Sequence, residues 1–320
     1  MIKKFINTLK YISLSFAFIA FNARSDTIKS REVIIDTDVG TDIDDAFALA
    51  LAAASPDLKI DLIMASSGDT DARAKLARRF LDMAGRTDIP VTRGPSTLHA
   101  EALSQKSWAQ GQENYHKYFP DAVEKALQLL RTQPNHTITL IGLAPPSTIA
   151  AMISRDSIAF RRLRAIVLMA GSIHHGYGKI AGTNSSTPSL ETNASLDPSA
   201  LRAILTSGVP IQLMPLDATE VALSKFAAEQ IFHAHTPVTD SLQELTQQWA
   251  AKSAYGPIPT LFDVVPVAYL IQPNICTLVP MHLSVSERGD TVQSSGPENV
   301  SACLSVNSKA VVNLLVQRIK

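Results

Sequence analysis

Short apolar runs alternate with stretches of helical spacing along most of the chain. The runs are rich in Val, Ile and Leu and read as strands at 33–35, 60–65, 89–91, 137–141, 166–169 and 211–214. Apolar residues recur every three or four positions at 46–51, 70–84, 122–130 and 148–153, and Asp197 with Pro198 reads as the cap and first turn of another helix. Repeated strand–helix units predict an α/β fold: an open, mostly parallel, Rossmann-like sheet flanked by helices.

Three stretches depart from this alternation. Residues 93–118 and 172–196 have neither period and read as long loops, which in such folds commonly carry the functional site. Residues 276–306 alternate apolar and polar positions, with a turn at 287–290. This last pattern predicts a small antiparallel β element near the C-terminus.

Composition narrows the class of protein. The 320 residues are 46% hydrophobic and 18% charged, with a formal net charge of zero. Such a balance is typical of a globular chain with a large core, and it disfavours a nucleic-acid surface or a polybasic membrane patch.

The N-terminus reads as a bacterial-type signal peptide over residues 1–25. Lysines at 3, 4 and 10 precede the apolar run 11–21, and Ala23-Arg24-Ser25 is a candidate cleavage site. The run is short for a membrane span, although a short anchor or a buried helix stays an alternative. We therefore expect an exported protein, periplasmic or secreted, with a single domain at 26–320 and no stable membrane insertion after cleavage.

The chain has two cysteines, Cys276 and Cys303. Export to an oxidising compartment would allow them to pair, and two buried free thiols are the alternative.

Five aspartates fall within ten residues: Asp36, Asp38, Asp42, Asp44 and Asp45. They lie where the strand at 33–35 ends and the helix at 46–51 begins, which is where open α/β sheets place their ligands. Clustered carboxylates repel one another unless a cation neutralises them, and oxygen ligands suit Ca²⁺ or Mg²⁺. The motif therefore predicts a hard-cation site.

Three other interpretations of the motif fit less well. A helix cap explains one or two aspartates rather than five. An aspartyl-nucleophile phosphatase would use Asp36, but Gly40 stands where that class has Thr or Val. A helix–loop–helix calcium loop needs a preceding helix and a terminal Glu, which this stretch lacks.

The stretch from Asp36 to Ala46 resembles the signature of the nucleoside hydrolase family, Asp-Thr-Asp-x-Gly followed by a spacer and Asp-Asp-Ala, with a spacer two residues longer. The resemblance covers nearly all of the mature chain. Further segments fall in the order that the family has them: 66–69, 89–94, 144–148, 167–171, 191–193, 197–198 and 262–263.

The resemblance implies a role for each matching residue. Asp38 would be the general base and a metal ligand, and Asp45, Asp263 and a backbone carbonyl near Ser147 would complete a Ca²⁺ site. Asp44, Asn184, Glu191 and Asn193 would bind the ribose. Asp36 is expected to support the turn through backbone amides, and Asp42 to face solvent.

Phe262 stands where the common pattern has a histidine, the proposed proton donor to the leaving base. Trp108 and Tyr255 are weaker candidates for that side of the site. The resemblance thus implies a calcium-dependent N-ribohydrolase that releases base and ribose from ribonucleosides, as a homo-dimer or homo-tetramer. The missing histidine leaves open an exported calcium- and ribose-binding protein without turnover.

Overall fold

The computed structural model describes residues 30–98, 102–109, 118–253 and 256–320. Its main sheet has eight strands in the order β3-β2-β1-β4-β5-β8-β12-β9, and two further strand pairs are β6–β7 and β10–β11. The strands are β1 (Arg31–Thr37), β2 (Leu58–Ala65), β3 (Val91–Arg93), β4 (Thr139–Gly142), β5 (Ala165–Met169), β6 (Gly176–Tyr177), β7 (Asn184–Ser185), β8 (Ile211–Met214), β9 (Cys276–Met281), β10 (Leu283–Val285), β11 (Thr291–Gln293) and β12 (Val300–Val306).

Helices cover both faces of the sheet. They are α1 (Asp44–Ala53), α2 (Thr70–Met83), α3 (Ala122–Thr132), α4 (Ser147–Arg155), α5 (Ser157–Phe160), α6 (Thr192–Leu196), α7 (Pro198–Leu205), α8 (Leu216–Thr219), α9 (Lys225–Phe232), α10 (Pro237–Ala250), α11 (Val264–Ile271) and α12 (Ser308–Ile319), with 3₁₀ turns at Lys106–Ala109 and Pro273–Ile275.

Strand β1 is buried on both faces, which explains its continuous apolar run. Val33 and Ile35 point into a core with α1, α2, α11 and α12, whereas Ile34 points into a second core with α3, α4 and α7. A parallel strand between two helical layers needs apolar side chains at every position. The predicted α/β architecture with a mostly parallel sheet is confirmed.

The strand order reverses at β1, which pairs with β2 on one side and β4 on the other, both in parallel. Connections therefore leave β1 and β4 in opposite directions and open a crevice at their carboxyl ends. The aspartate-rich stretch follows β1 directly, so the fold itself places these carboxylates at the switch point of the sheet.

The predicted antiparallel element near the C-terminus is present, but part of it belongs to the main sheet. Strand β12 pairs in parallel with β8 and antiparallel with the edge strand β9, while β10 and β11 form a separate antiparallel pair. The predicted turn joins β10 and β11, where the Ser286 amide donates to the Asp290 carbonyl at 2.9 Å. A disulfide links Cys276 to Cys303, so the cysteines are paired rather than free.

The predicted loop at 172–196 contains structure of its own, the β6–β7 pair and α6. Across the described residues, no helix has the length and apolarity that a membrane span needs. The predicted signal peptide at 1–25 lies outside the described residues, so export and cleavage stay predictions.

Candidate active site

A buried arginine on α2 holds the aspartate-rich loop between β1 and α1. Arg73 on α2 is 1% exposed, and its guanidinium donates to the carbonyls of Ser67 (2.8 Å), Val39 (3.3 Å) and Asp38. Its Nη2 also donates to Thr41 Oγ1 at 3.0 Å and lies 3.9 Å from the Asp38 carboxylate. One cation thus fixes the path of the backbone that carries the acidic side chains.

Gly40 allows this loop to pass close to α2. Its φ is +121°, a left-handed conformation that other residues rarely adopt, and a Cβ there would lie 2.6 Å from Leu76 Cδ1. The positive φ therefore favours glycine at this position, and a larger residue would also require the Leu76 side chain to move.

Three buried carboxylates converge at the mouth of the crevice. Asp44, Asp45 and Asp263 each offer an oxygen, and these oxygens lie within 4.8 Å of one another. Asp263 directly precedes α11, and its side chain makes no capping hydrogen bond to the helix. Its carboxylate can therefore face the other two. Its backbone amide donates to Asp44 Oδ2 at 3.2 Å. Asp45 is oriented by Thr37, whose hydroxyl donates to Oδ1 at 2.5 Å.

The electrostatics of this cluster call for a cation. Burial raises the pKa of Asp44, Asp45 and Asp263 well above the usual range, and repulsion from neighbouring aspartates raises it further. A bound divalent ion would reverse both effects. An all-oxygen donor set of this kind fits Ca²⁺ or Mg²⁺, so the residues fit the metal that the motif implies.

The cluster opens into a cavity of about 440 Å³. This volume lies within the range typical of small-molecule sites. Asp38 and Asp42 line the cavity beside the cluster, and the ring of Phe262 lines it in T-shaped contact with Tyr177, 5.9 Å between centroids. The site thus combines an acidic region with aromatic surface, and it is roomy enough for a nucleoside-sized ligand.

Glu191 and Asn193 also line the cavity, and their side chains are fixed by the backbone around them. The Glu191 carboxylate accepts three amide hydrogens at 2.8 Å, from Gly171, Asn193 and Ala194. Burial nevertheless raises the pKa of Glu191 to about 7. The Asn193 Nδ2 donates to the carbonyls of Leu143 and Met169, at 2.7 and 3.1 Å.

A sequence model of the inosine-uridine preferring nucleoside hydrolases matches residues 33–313. The chain belongs to this nucleoside hydrolase family. It is 28% identical to the pyrimidine-specific ribonucleoside hydrolase RihA of Photobacterium profundum, over 91% of this chain and 99% of that protein.

Solved structures of nucleoside hydrolases share the fold. The plant nucleoside hydrolase PpNRh1 superposes with a TM-score of 0.77 at 22% identity, covering 90% of this chain and 98% of that one. The purine-preferring ribonucleoside hydrolase of Gardnerella vaginalis gives 0.75 at 20% identity, with the same coverage of 90% and 98%. The chain is accordingly a hydrolase of N-glycosyl bonds.

Other residues that the family resemblance suggested do not line the cavity among the described residues. Asn184 donates from Nδ2 to the Leu216 carbonyl at 2.9 Å. The Ser147 side chain donates from Oγ to Asp197 at 2.6 Å, and the predicted role of a backbone carbonyl near it stays a prediction. Trp108 packs against Phe80 and donates to Glu244 at 3.1 Å. Tyr255 lies outside the described residues.

Asp36 and Asp42, the two aspartates that are expected to have supporting roles, lie in different surroundings. Asp36 is fully buried, and its carboxyl accepts a hydrogen bond from the Ser66 hydroxyl rather than from turn amides. Burial raises the pKa of Asp36 to about 8, and its position away from the cavity disfavours the phosphatase alternative. Asp42 lines the cavity and is half-buried, so its expected contact with solvent stays a prediction.

Three features of this nucleoside hydrolase site had no signal in the sequence. Arg73 lies in a helix between Asp71 and Lys75 and reads as part of a solvated face. Tyr177 and Glu220 stand alone in loop-like sequence, and only tertiary structure brings them to the cavity.

Asp197 is the predicted helix cap, and its carboxylate accepts the Ala200 amide hydrogen at 3.0 Å.

Proposed function

We propose that this member of the family is a calcium-dependent N-ribohydrolase, which cleaves the N-glycosidic bond of ribonucleosides to free base and ribose. The observation that carries the proposal is the convergence of Asp44, Asp45 and Asp263 beside Asp38 in one nucleoside-sized cavity. An oxocarbenium-like ribose is the expected transition state for this chemistry.

The metal would be held by Asp45 and Asp263, whose carboxylate oxygens converge with that of Asp44. Asp38 and a backbone carbonyl near Ser147 would complete the site, as the family resemblance implies. When bound, Ca²⁺ supplies positive charge that lowers the pKa of water and favours binding of vicinal hydroxyls. The relatives named for pyrimidine and purine nucleosides support ribonucleosides as the substrate class.

The residues of the chain would divide the remaining work. Asp38 accepts the proton of the attacking water, a step worth roughly 10²–10⁴-fold when the base is well positioned. Arg73 holds the backbone of Asp38 and thereby the position of this base. Asp44, Glu191 and Asn193 bind and orient the ribose hydroxyls, and direct attack by water inverts the anomeric centre.

Export is a second part of the proposal. The lysines and apolar run at the N-terminus support it, and the disulfide between β9 and β12 supports an oxidising compartment. A homo-dimer or homo-tetramer remains our prediction for the assembly, to be measured by light scattering on the purified protein.

Free ribose released from inosine, adenosine, guanosine, uridine and cytidine tests the activity directly. We expect release from at least one nucleoside, loss of release with a chelator, and recovery with added Ca²⁺. Asp38→Asn should abolish turnover, whereas the matched surface variant Asp71→Asn, which removes only a pair with Lys75, should not.

Each experiment has a result that would refute the part of the proposal that it tests. No ribose from any nucleoside would refute the hydrolase and favour the binding-protein alternative. Activity that survives thorough chelation would refute the metal, and full activity in Asp38→Asn would refute the base.

A further inference from the structure

Among the described residues that line the cavity, two carboxyl groups have no part in the proposed reaction, those of Asp42 and Glu220, and only Glu220 is buried. The residue is 8% exposed, and its Oε1 accepts the Gly178 amide hydrogen at 3.2 Å. Among the described residues it has no ion-pair partner, although Tyr177, Lys179, Asp217 and Asp263 lie on the neighbouring segments. A buried carboxyl without a cation favours its neutral form.

Glu220 is not one of the three carboxylates, Asp44, Asp45 and Asp263, whose oxygens converge within 4.8 Å of one another. Burial raises the pKa of Glu220 to about 7. The cavity thus contains a carboxylate cluster suited to a cation and a carboxyl group suited to a proton.

A short antiparallel pairing brings the segment after Glu220 against the segment before Phe262. Ala222 is bridged to Thr260, the Leu261 amide donates to the Val221 carbonyl at 2.7 Å, and the Leu223 amide donates to the Pro259 carbonyl at 2.9 Å. The pairing ends at Glu220, which lies in a tight turn closed by the Val221 amide on the Thr219 carbonyl at 2.7 Å.

Burial shows which side chains of these two segments reach the cavity. Val221 and Leu261 belong to the apolar core, whereas Glu220, Thr260 and Phe262 line the cavity. Glu220 therefore opens on the same cavity as the aromatic ring that stands where the resemblance led us to expect a proton donor.

We propose that Glu220 is the general acid that protonates the departing base. The inference rests on the proposed function, since it assigns the other half of the same reaction. As the bond from C1′ to the base nitrogen breaks, its electron pair goes to the base and the Glu220 proton is transferred to it. Water forms the new bond to C1′ and gives its proton to Asp38, which returns it through solvent to Glu220.

The balance of this reaction is one nucleoside and one water converted to one base and one ribose. No oxidant or further reactant is needed. The apolar ring of Phe262 would keep water from the acid and maintain its neutral form before the bond breaks.

Two substrates with different leaving groups test the role. Glu220→Gln keeps the size of the side chain and an oxygen for the Gly178 amide, but it removes the acidic proton. We expect kcat on the best nucleoside to fall roughly 10²–10⁴-fold. On 4-nitrophenyl β-D-ribofuranoside, whose phenolate leaves without protonation, kcat should change by less than about threefold.

Asp38→Asn is the matched comparison, because loss of the base should lower kcat on both substrates. Wild-type enzyme should lose kcat on nucleosides as pH rises through about 7, and this limb should be absent with the nitrophenyl riboside. Glu220→Asp should recover part of the nucleoside activity. The wild-type pH comparison needs no variant, so it applies even if a substitution prevents folding.

Equal losses on both substrates, or unchanged nucleoside turnover, would overturn the assignment of Glu220 while leaving the hydrolase intact. Failure of wild-type protein to release ribose from any nucleoside would instead overturn the proposed function itself, and the assignment with it.

Discussion

Replacing Arg73 by methionine should damage the site without touching any residue that contacts substrate. Methionine retains an unbranched apolar stem but has neither the charge nor the donors of the guanidinium. The variant would leave the carbonyls of Ser67 and Val39 and the hydroxyl of Thr41 without their present donor. The backbone of Asp38 would lose its anchor to α2 as well.

The size of the effect follows from the burial of the network. Hydrogen bonds from a charged group contribute about 1.5–3 kcal/mol each, but those made by one guanidinium are not additive. Breaking a buried charged network by removing one partner costs about 3–5 kcal/mol. We therefore expect a stability loss of about 4 kcal/mol. With an unfolding entropy of about 2.1 cal/mol/K per residue, this loss lowers Tm by roughly 6 °C in a protein of this size.

Catalysis should fall as well, because the loop that carries Asp38 is no longer fixed. A displacement of about 1 Å in a catalytic group can cost roughly 10²-fold in rate. We expect kcat to drop by about that factor and KM to change less, measured at a temperature where the variant is folded. Arg73→Lys should recover stability only in part, since an ammonium lacks the planar fork.

Arg78→Met is the matched control. Arg78 is also buried on α2, but its guanidinium donates to Asp82 and to the carbonyls of Ile89 and Arg86, away from the acidic loop. It should lose comparable stability while kcat stays near wild type. The positioning role of Arg73 would be refuted if both variants lost stability and activity in the same proportion.

Three further predictions concern the whole protein. Calcium should raise the Tm of the metal-free protein, and a chelator should lower it again. At a calcium concentration a hundredfold above Kd, the free energy of unfolding should rise by about 2.7 kcal/mol. An unchanged melting curve would contradict the metal site. Burial raises the pKa of Asp36 to about 8 and that of Glu191 to about 7. The stability that these two groups contribute is complete below the pKa values they have in the unfolded chain, and it is lost as pH rises through 7–8. Metal-free protein should thus melt higher at pH 5 than at pH 8.5, and the opposite trend in calorimetry would refute these environments. Replacing both Cys276 and Cys303 by serine should cost about 3.5 kcal/mol in urea unfolding, given their separation of 27 residues, and a loss below about 1 kcal/mol would contradict a stabilising disulfide.

The parallel core of the fold was predictable because its strands are buried on both faces. A run such as Val33–Ile35 carries that information locally, and the aspartates after it mark the carboxyl edge of the sheet. The role of β12 was not predictable in this way. Its parallel pairing with β8 and antiparallel pairing with β9 joins segments far apart in sequence, and alternation alone does not distinguish the two.

The residues of the candidate site divide in the same way, into those that a pattern in the sequence predicts and those that only tertiary structure reveals. Asp44 and Asp45 belong to a local motif, and the ordered resemblance connected Asp263 to them across the chain. Arg73 and Glu220 carry no such pattern. A charged residue in a helix usually faces solvent, and a single glutamate in a loop has no period to interpret, so burial could be learned only from tertiary packing.

Environment, rather than residue type, separates the two proposed proton-transfer roles in this cavity. Asp38 is half-buried, and the Arg73 guanidinium lies 3.9 Å from its carboxylate, a neighbour that suits a proton acceptor. Glu220 is buried, has no ion pair with another described residue and shares the cavity with the ring of Phe262, which suits a proton donor. Phe262 is then not simply the loss of an imidazole. An apolar residue at that position helps a carboxylic acid that lines the same cavity to hold its proton at neutral pH. Replacing Phe262 with histidine while Glu220 is retained should therefore not add a second donor, because a nearby imidazolium would favour the charged form of Glu220.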